Sequence, residues 1–356
     1  MQTSNRTSRR KFLCNTSAGL LTSASLTNPA TPAVSGTRGV LDGHRDVLFE
    51  SVEKIHTDGR WNGRPAIVFW KGHYYIFFRT GSGHGGFDGY AMMLKSRPHE
   101  PRGWVASRVL DTRKNEAETH VIATKDRIFL YVVVEPPGDE ANLETLVTYT
   151  DDGQNWSRPV RAHELSFSFW KPATLNDVHY MAADVMIGDR RVDLMTSRDG
   201  LEWTKISTII RGRYTETALV FLKDDTLLAV TRQGKVSRAR PPYKKWTNYD
   251  GVSFGGPATG LVGNTLLVSG RVGAERYPDD QPRPNGARTG LFTFDDADMS
   301  YQWKTNMVTQ WGSDLAYPHI LPLDNQKALI AWYDGEPYEE NVAKQADLFL
   351  ATVRVV

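Results

Sequence analysis

Thr150-Asp151-Asp152-Gly153-Gln154-Asn155-Trp156 and Ser197-Arg198-Asp199-Gly200-Leu201-Glu202-Trp203 follow one formula, Ser/Thr-x-Asp-Gly-x-x-Trp, and lie 47 residues apart. Each follows a strand-like run, 146–150 and 192–196. Asp-Gly specifies a tight turn. The hydroxyl and carboxylate can accept from turn amides, and the Trp folds back as an apolar plug. One such match in a chain of this length decides nothing. Two in phase, each after a strand, mean that one supersecondary unit is repeated.

The tryptophans carry the phase further. Trp104, Trp156, Trp203, Trp246 and Trp303 are spaced 52, 47, 43 and 57 residues. Degenerate turns precede the other three: Ser96-Arg97-Pro98 before Trp104, Pro241-Pro242-Tyr243 before Trp246, and Asp295-Asp296 before Trp303. A four-stranded propeller blade needs roughly 40–50 residues. The expected fold is therefore all-β, a β-propeller of six blades over residues 40–356.

Local composition agrees. Short β-branched and aromatic runs at 66–69, 74–78, 128–134, 226–231, 265–269, 290–294, 329–333 and 348–353 are separated by Gly, Pro, Asp and Asn. No long stretch has helical period. One propeller at this length buries a sizeable core, so a single domain is expected, as a monomer. The net charge of +2 demands neither nucleic acid nor a membrane surface as partner. The nine His are scattered without ligand spacing, so neither metal nor cofactor is expected.

Residues 1–33 read as an address and linker. Ser8-Arg9-Arg10-Lys11-Phe12-Leu13 has the form of a twin-arginine export signal. A mildly apolar stretch follows, with small residues near Thr31-Pro32-Ala33 for cleavage. It is too polar for a permanent anchor. The one cysteine, Cys14, lies inside it, so the exported chain would carry no disulfide and no thiolate. The expected location is the periplasm or the medium.

Propellers place function at the mouth of the central channel. Polar residues entering the first strand of each blade recur at the blade period: Arg60/Arg64, Glu118/His120, Trp170-Lys171, Tyr214/Glu216, Gly255-Gly256 and Tyr317. That is the pattern of a ring converging on one axial pocket.

Three stretches of this ring resemble the sialidase (neuraminidase) superfamily, in particular its exported bacterial exo-α-sialidase-like members. Thr215-Glu216-Thr217-Ala218-Leu219 with Arg232 downstream is similar to the segment supplying a glutamate and an arginine. Arg288-Thr289-Gly290-Leu291-Phe292 is similar to a strand carrying a further arginine. Ala316-Tyr317-Pro318 resembles the segment with the nucleophilic tyrosine. The turns resemble the family's Asp-box, shortened. Arg64-Pro65-Ala66-Ile67 resembles its Arg-Ile-Pro entry motif, one residue out of register.

The resemblance implies a retaining glycosidase for sialic acid or a related acidic sugar. Tyr317 would be nucleophile, Glu216 its base, and Asp88 the acid/base, with His84 as competitor. Arg232, Arg288 and one of Arg60, Arg64 or Arg79 would clamp the carboxylate; His84 and Lys171 would also line the pocket. The chemistry is coherent. An anionic nucleophile is repelled by a carboxylate on the anomeric carbon, and tyrosine is the neutral exception. Forked guanidinium groups bind carboxylates bidentately. Tyr317 is followed by Pro where sialidases commonly have Ser. Two alternatives stay open: a propeller lyase with His84, His120 or Tyr317 as base, and a non-catalytic propeller that binds anionic glycans.

Overall fold

The computed structural model describes residues 39–282, 286–337 and 343–356. The leader with Arg9, Arg10 and Cys14 lies outside the described residues. Regular structure among the described residues is strand, with one short 3-10 turn at Glu140–Asn142. No helix in them is long and apolar enough to cross a membrane.

Four sheets are separate four-stranded meanders. They are built from Glu116–Ala123, Ile128–Val134, Glu144–Thr150 and Val160–Arg161; from Phe167–Leu175, Val178–Val185, Arg191–Ser197 and Thr204–Arg211; from Ala218–Phe221, Leu227–Val230, Lys235–Ala239 and Thr247–Asp250; and from Gly255–Val262, Thr265–Gly273, Ala287–Asp295 and Ser300–Asn306. The remaining strands form one eight-stranded sheet. One half of it runs Trp61–Trp70, His73–Gly81, Tyr90–Lys95 and Val105–Arg108. The other runs Asp314–Pro322, Lys327–Gly335 and Ala346–Val355, with Val47–His56 on its outside. The halves join through a single parallel pair, Trp61 with Ala346.

The strand that opens each meander abuts its counterparts on both sides. Contacts run from 61–70 to 116–123, 167–175, 218–221, 255–262 and 314–322, and back to 61–70. This closed ring is a propeller arrangement. The ring is locked by the early strand, since Val47–His56 pairs antiparallel with the last strand from Val47 opposite Val355 to His56 opposite Leu348. Between sheets the faces are filled by side chains such as Trp61, Phe78, Trp170 and Tyr333, all fully or almost fully buried.

The tryptophan phase is structural. Trp104, Trp203 and Trp246 each sit directly before the outermost strand of a meander, Trp156 shortly before one, and Trp303 within one. Trp203 packs edge-on against Tyr131 and Phe169, at 5.7 and 5.4 Å between centroids. Trp156 does the same to Phe77 at 5.6 Å. Each plug thus reaches across to the neighbouring meander.

The turns before Trp156 and Trp203 are alike atom for atom. Gly153 N donates to Thr150 Oγ1 at 2.9 Å, and Gly200 N to Ser197 Oγ at 2.9 Å. The Asp152 carboxylate accepts from Gln154 N and Asn155 N at 2.8 Å each, and Asp199 from Leu201 N and Glu202 N at 2.9 Å each. Both glycines have positive φ, 72° and 74°, which only glycine adopts freely. These turns join the third strand to the fourth. They therefore lie at the opposite end of the sheet from the start of the innermost strand.

Candidate functional site

The start of the innermost strand is irregular in each meander. Arg64-Pro65 stands as two residues against one on the neighbouring strand. Lys171-Pro172, Gly256-Pro257 and Tyr317-Pro318 do the same. Glu216-Thr217 precedes its short strand in the equivalent place, and Ala117 is the extra residue in the 116–123 strand. Proline suits a bulge because it has no N–H to leave unpaired, and it bars the right-handed helical region to the residue before it. Four of these positions take left-handed backbone: φ is 58° at Arg64, 54° at Glu216, 61° at Gly256 and 51° at Tyr317. Such strain concentrates at functional sites. It turns these side chains toward the axis.

The centre of the cluster is a tyrosine–glutamate pair. Tyr317 Oη donates to Glu216 Oε1 at 2.8 Å. Arg232 Nη1 donates to the same oxygen and lies 3.4 Å from Tyr317 Oη. Gly256 N donates to Glu216 Oε2 at 2.8 Å, and Glu216 N donates to Asp184 Oδ2 at 2.7 Å. Position 256 must be glycine: a Cβ there would stand 2.6 Å from Tyr317 Cγ. The Tyr317 ring lies near Trp170 (5.9 Å) and stacks on Tyr333 (6.3 Å). Burial first, then the Glu216 charge, pushes the phenol well above its ordinary pKa; Arg64 and Arg232 pull the other way. Tyr317 is therefore neutral at neutral pH.

Cations surround this pair. The Arg64 guanidinium lies 5.2 Å from the centroid of the Tyr317 ring. It pairs with Glu118 at 3.2 Å and donates to Ala117 O at 2.8 Å. Lys171 Nζ donates to Pro318 O. Burial lowers the Lys171 ammonium to about 7, against the pull of Glu118 and Glu216. Burial likewise raises the Glu118 carboxyl to about 8, helped by Glu216 and Glu135 and opposed by Arg64 and Lys171. Perturbed titratable groups gathered in one place mark a candidate functional site.

His84 belongs to the cluster through the 81–89 loop. Its Nδ1 is 3.0 Å from Asp314 Oδ2 and its Nε2 is 3.5 Å from Arg64 Nη2. Asp314 is fully buried and accepts from Trp61 Nε1 at 2.6 Å and Tyr333 Oη at 3.2 Å.

Three further residues expected at the site are committed elsewhere. Arg79 is buried and donates to Gly83 O at 3.0 Å and Gly86 O at 2.6 Å, bracing the 81–89 loop. Burial lowers its guanidinium to about 10. Arg288 is fully buried, with Nε donating to Asp279 at 2.8 and 3.0 Å and Nη2 to Gln281 O. It holds the 279–281 segment and is not brought to Glu216 and Tyr317. Asp88 accepts from Ser82 N and Ser82 Oγ, both at 2.9 Å, and faces Arg60 at 3.6 Å. Burial works to raise its carboxyl, but the Ser82 bonds and Arg79 outweigh it and hold the pKa below the ordinary value. Such a group is ionised at neutral pH in the free chain.

Arg271 is the arginine that sequence reasoning missed. It lies opposite Gly255 on the second strand of its meander, as Arg79 lies opposite Gly63. Arg232 takes the same place, its N bonded to Thr215 O. The Arg271 charge acts on both His84 and Tyr333. Among the described residues the Arg271 side chain has no hydrogen-bond or ion-pair partner, its backbone being held in the sheet. A sequence signal existed: Arg64 to Arg79 and Gly256 to Arg271 are 15 residues apart, and Glu216 to Arg232 is 16. Asp184 and Asp314 had no such signal, since only tertiary contact gives them a role.

No protein-family model matches the chain, and no curated protein matches its sequence. Solved structures do match its fold. A protein of unknown function from Dyadobacter fermentans has a TM-score of 0.69 at 16% identity, covering 87% of this chain and 99% of that one. The phage phi92 endosialidase has 0.67 at 10%, covering 91% and 72%. Trypanosoma rangeli sialidase in complex with the inhibitor DANA has 0.62 at 11%, covering 89% of this chain and 58% of that one. The chain thus spans little more than half the length of the trypanosomal enzyme. At such identities the likeness speaks for the fold, and the fold is a sialidase-like β-propeller.

Proposed function

We propose that the chain is a sialidase-like glycoside hydrolase that releases a terminal acidic sugar, sialic acid or a relative. In this reading the eight-stranded sheet counts as two blades joined at the Trp61–Ala346 pair, so the propeller has six. The leader at residues 1–33 sends the chain out by the twin-arginine route, and the ligand is an anionic glycan.

The observation that carries the reading is the 2.8 Å bond from Tyr317 Oη to Glu216, set beside Arg64 and Arg232, with the Arg271 charge acting on the stacked Tyr333. The carboxylate of the sugar is held by guanidinium groups, Arg271 being the one still uncommitted. Glu216 takes the phenolic proton as Tyr317 attacks the anomeric carbon. A neutral nucleophile avoids repulsion from the carboxylate beside that carbon.

A panel of aryl and alkyl glycosides of sialic acid, glucuronic acid and glucose tests it. Hydrolysis of an acidic member with retained anomeric configuration is the expected outcome. Equal turnover of neutral glucosides overturns the reading. An unsaturated product from the uronate replaces it with a lyase. Binding of anionic glycans without turnover replaces it with a non-catalytic propeller.

A further inference from the structure

If Tyr317 attacks, the leaving oxygen must receive a proton. Asp88, on the loop where that donor was expected, is ionised and tied to Ser82. The same loop carries His84 inward, and four contacts from three elements hold it there. His84 N donates to Ala343 O at 2.9 Å. The imidazole meets the edge of Trp61 at 5.1 Å between centroids. Nδ1 is bonded to buried Asp314, which Trp61 and Tyr333 fix in turn. Nε2 points toward Arg64, which lies over the Tyr317 ring. The side chain keeps 22% exposure, so solvent reaches it.

Resting on the reading above, we propose that His84, oriented by Asp314, is the acid/base of this site in place of the loop aspartate. Asp314 Oδ2 accepts from Nδ1–H, which leaves Nε2 as the nitrogen that exchanges protons. In the first step the Nε2 proton passes to the leaving oxygen as the glycosidic C–O bond breaks. The Tyr317 Oη–carbon bond forms, and Glu216 receives the phenolic proton. In the second step neutral Nε2 takes a proton from water as the water oxygen attacks the anomeric carbon. The Tyr317 oxygen departs and recovers its proton from Glu216. Protons and charge then balance over the cycle.

The first step needs the imidazolium, and the ligand itself favours it. Burial holds His84 below its ordinary pKa; Asp314 raises it, while Arg64 and Arg271 lower it. Tyr333 reaches His84 only through Asp314. A carboxylate bound at Arg64 and Arg271 cancels the two repulsive charges, so binding an acidic sugar takes up a proton at His84. Ligand charge and acid catalysis are thereby coupled.

Two measurements test this. Calorimetry at pH 7 in buffers of different ionisation enthalpy reads the protons taken up on binding free sialic acid or glucuronic acid. Wild type takes up more protons than His84→Gln, in which only Lys171 and Glu118 still titrate near pH 7. In kinetics, His84→Gln loses about 10²-fold or more on alkyl glycosides and less than about tenfold on activated aryl glycosides, because only the former need protonation. The same variant loses the alkaline limb of the pH profile. Asp88→Asn affects the two substrate types to the same extent. Proton uptake that is undiminished in His84→Gln, or leaving-group dependence that appears in Asp88→Asn instead, overturns the proposal. If Tyr317→Phe retains turnover while His84→Gln discriminates by leaving group, the nucleophile falls and the dyad stands. If Tyr317→Phe is dead and His84→Gln is indifferent to the leaving group, only the dyad falls. Failure to bind or cleave any acidic sugar removes both.

Discussion

The two ends of the sheets are built on opposite principles. At the far end, the turns before Trp156 and Trp203 satisfy themselves: a carboxylate and a hydroxyl from within the turn accept its amides, and glycine supplies the positive φ. At the near end, the bulges put Arg64, Glu216 and Tyr317 into left-handed backbone and bond their side chains to partners 16 to 101 residues away. The first end is local and relaxed, the second non-local and strained. Conformational strain at the near end is affordable because the far end and the interlocked last meander hold each sheet.

The largest expected effect lies at the near end. Tyr317→Phe keeps the ring between Trp170 and Tyr333 and removes only the hydroxyl. Turnover should fall about 10²-fold or more with an unchanged melt. Full activity on every acidic glycoside would make the hydroxyl structural and dissolve the contrast.

Next is a pH slope that only the near end should produce. Glu118 rises from an ordinary 4.5 to about 8 in the folded chain. The folded state therefore binds more protons than the unfolded state between those values. The sign is then set: the contribution of Glu118 to stability is fully present below 4.5 and is lost as pH rises through 8, by at most about 1.4 kcal/mol per pH unit for one proton. Urea melts of wild type and Glu118→Gln at pH 5 and pH 8 should show wild type losing ground at the higher pH. A difference that grows the other way would mean Glu118 is an ordinary ionised partner of Arg64.

Arg271 and Arg288 then separate ligand cations from bracing cations. Arg271→Lys should weaken binding of an acidic sugar about tenfold with no change in melting, since lysine loses the fork. Arg288→Lys should destabilise the fold, having lost its paired bonds to Asp279, and should not change the selectivity for acidic over neutral sugars. The reverse result would return Arg288 to the clamp.

The smallest effect belongs to the far end. Asp199→Ala removes an acceptor from Leu201 N and Glu202 N and should cost about 1 kcal/mol in a denaturant melt. Ligand affinity should stay constant. A loss of binding would show that the two ends are coupled through the sheet.

Much of the site was legible at the level of strands. Glu216, Tyr317, Arg64 and Lys171 recur at the blade period because each opens an innermost strand, and Arg232 follows Glu216 by one hairpin. Arg288 misled because its strand position resembles a clamp arginine, whereas Asp279, on a loop nine residues earlier, captures it. Asp88 misled because loop chemistry depends on the hydrogen bonds a loop closes, and Ser82 closes them here.

By itself the sequence determined the repeat, the turns, the tryptophan plugs and the strand runs. Those depend on residues a few positions apart, whose hydrogen bonds and side-chain alternation are local. Tertiary structure alone decided that the strand at 47–56 closes the last meander, that the charges of Arg64 and Arg271 both act on His84, and that buried Asp314 holds His84. Those depend on the ring returning upon itself, which brings residues 64 and 317 together. Burial then sets the protonation of Tyr317, Glu118 and Lys171. The cost of desolvating a charge comes from the whole surrounding fold, and no neighbour in sequence reports it.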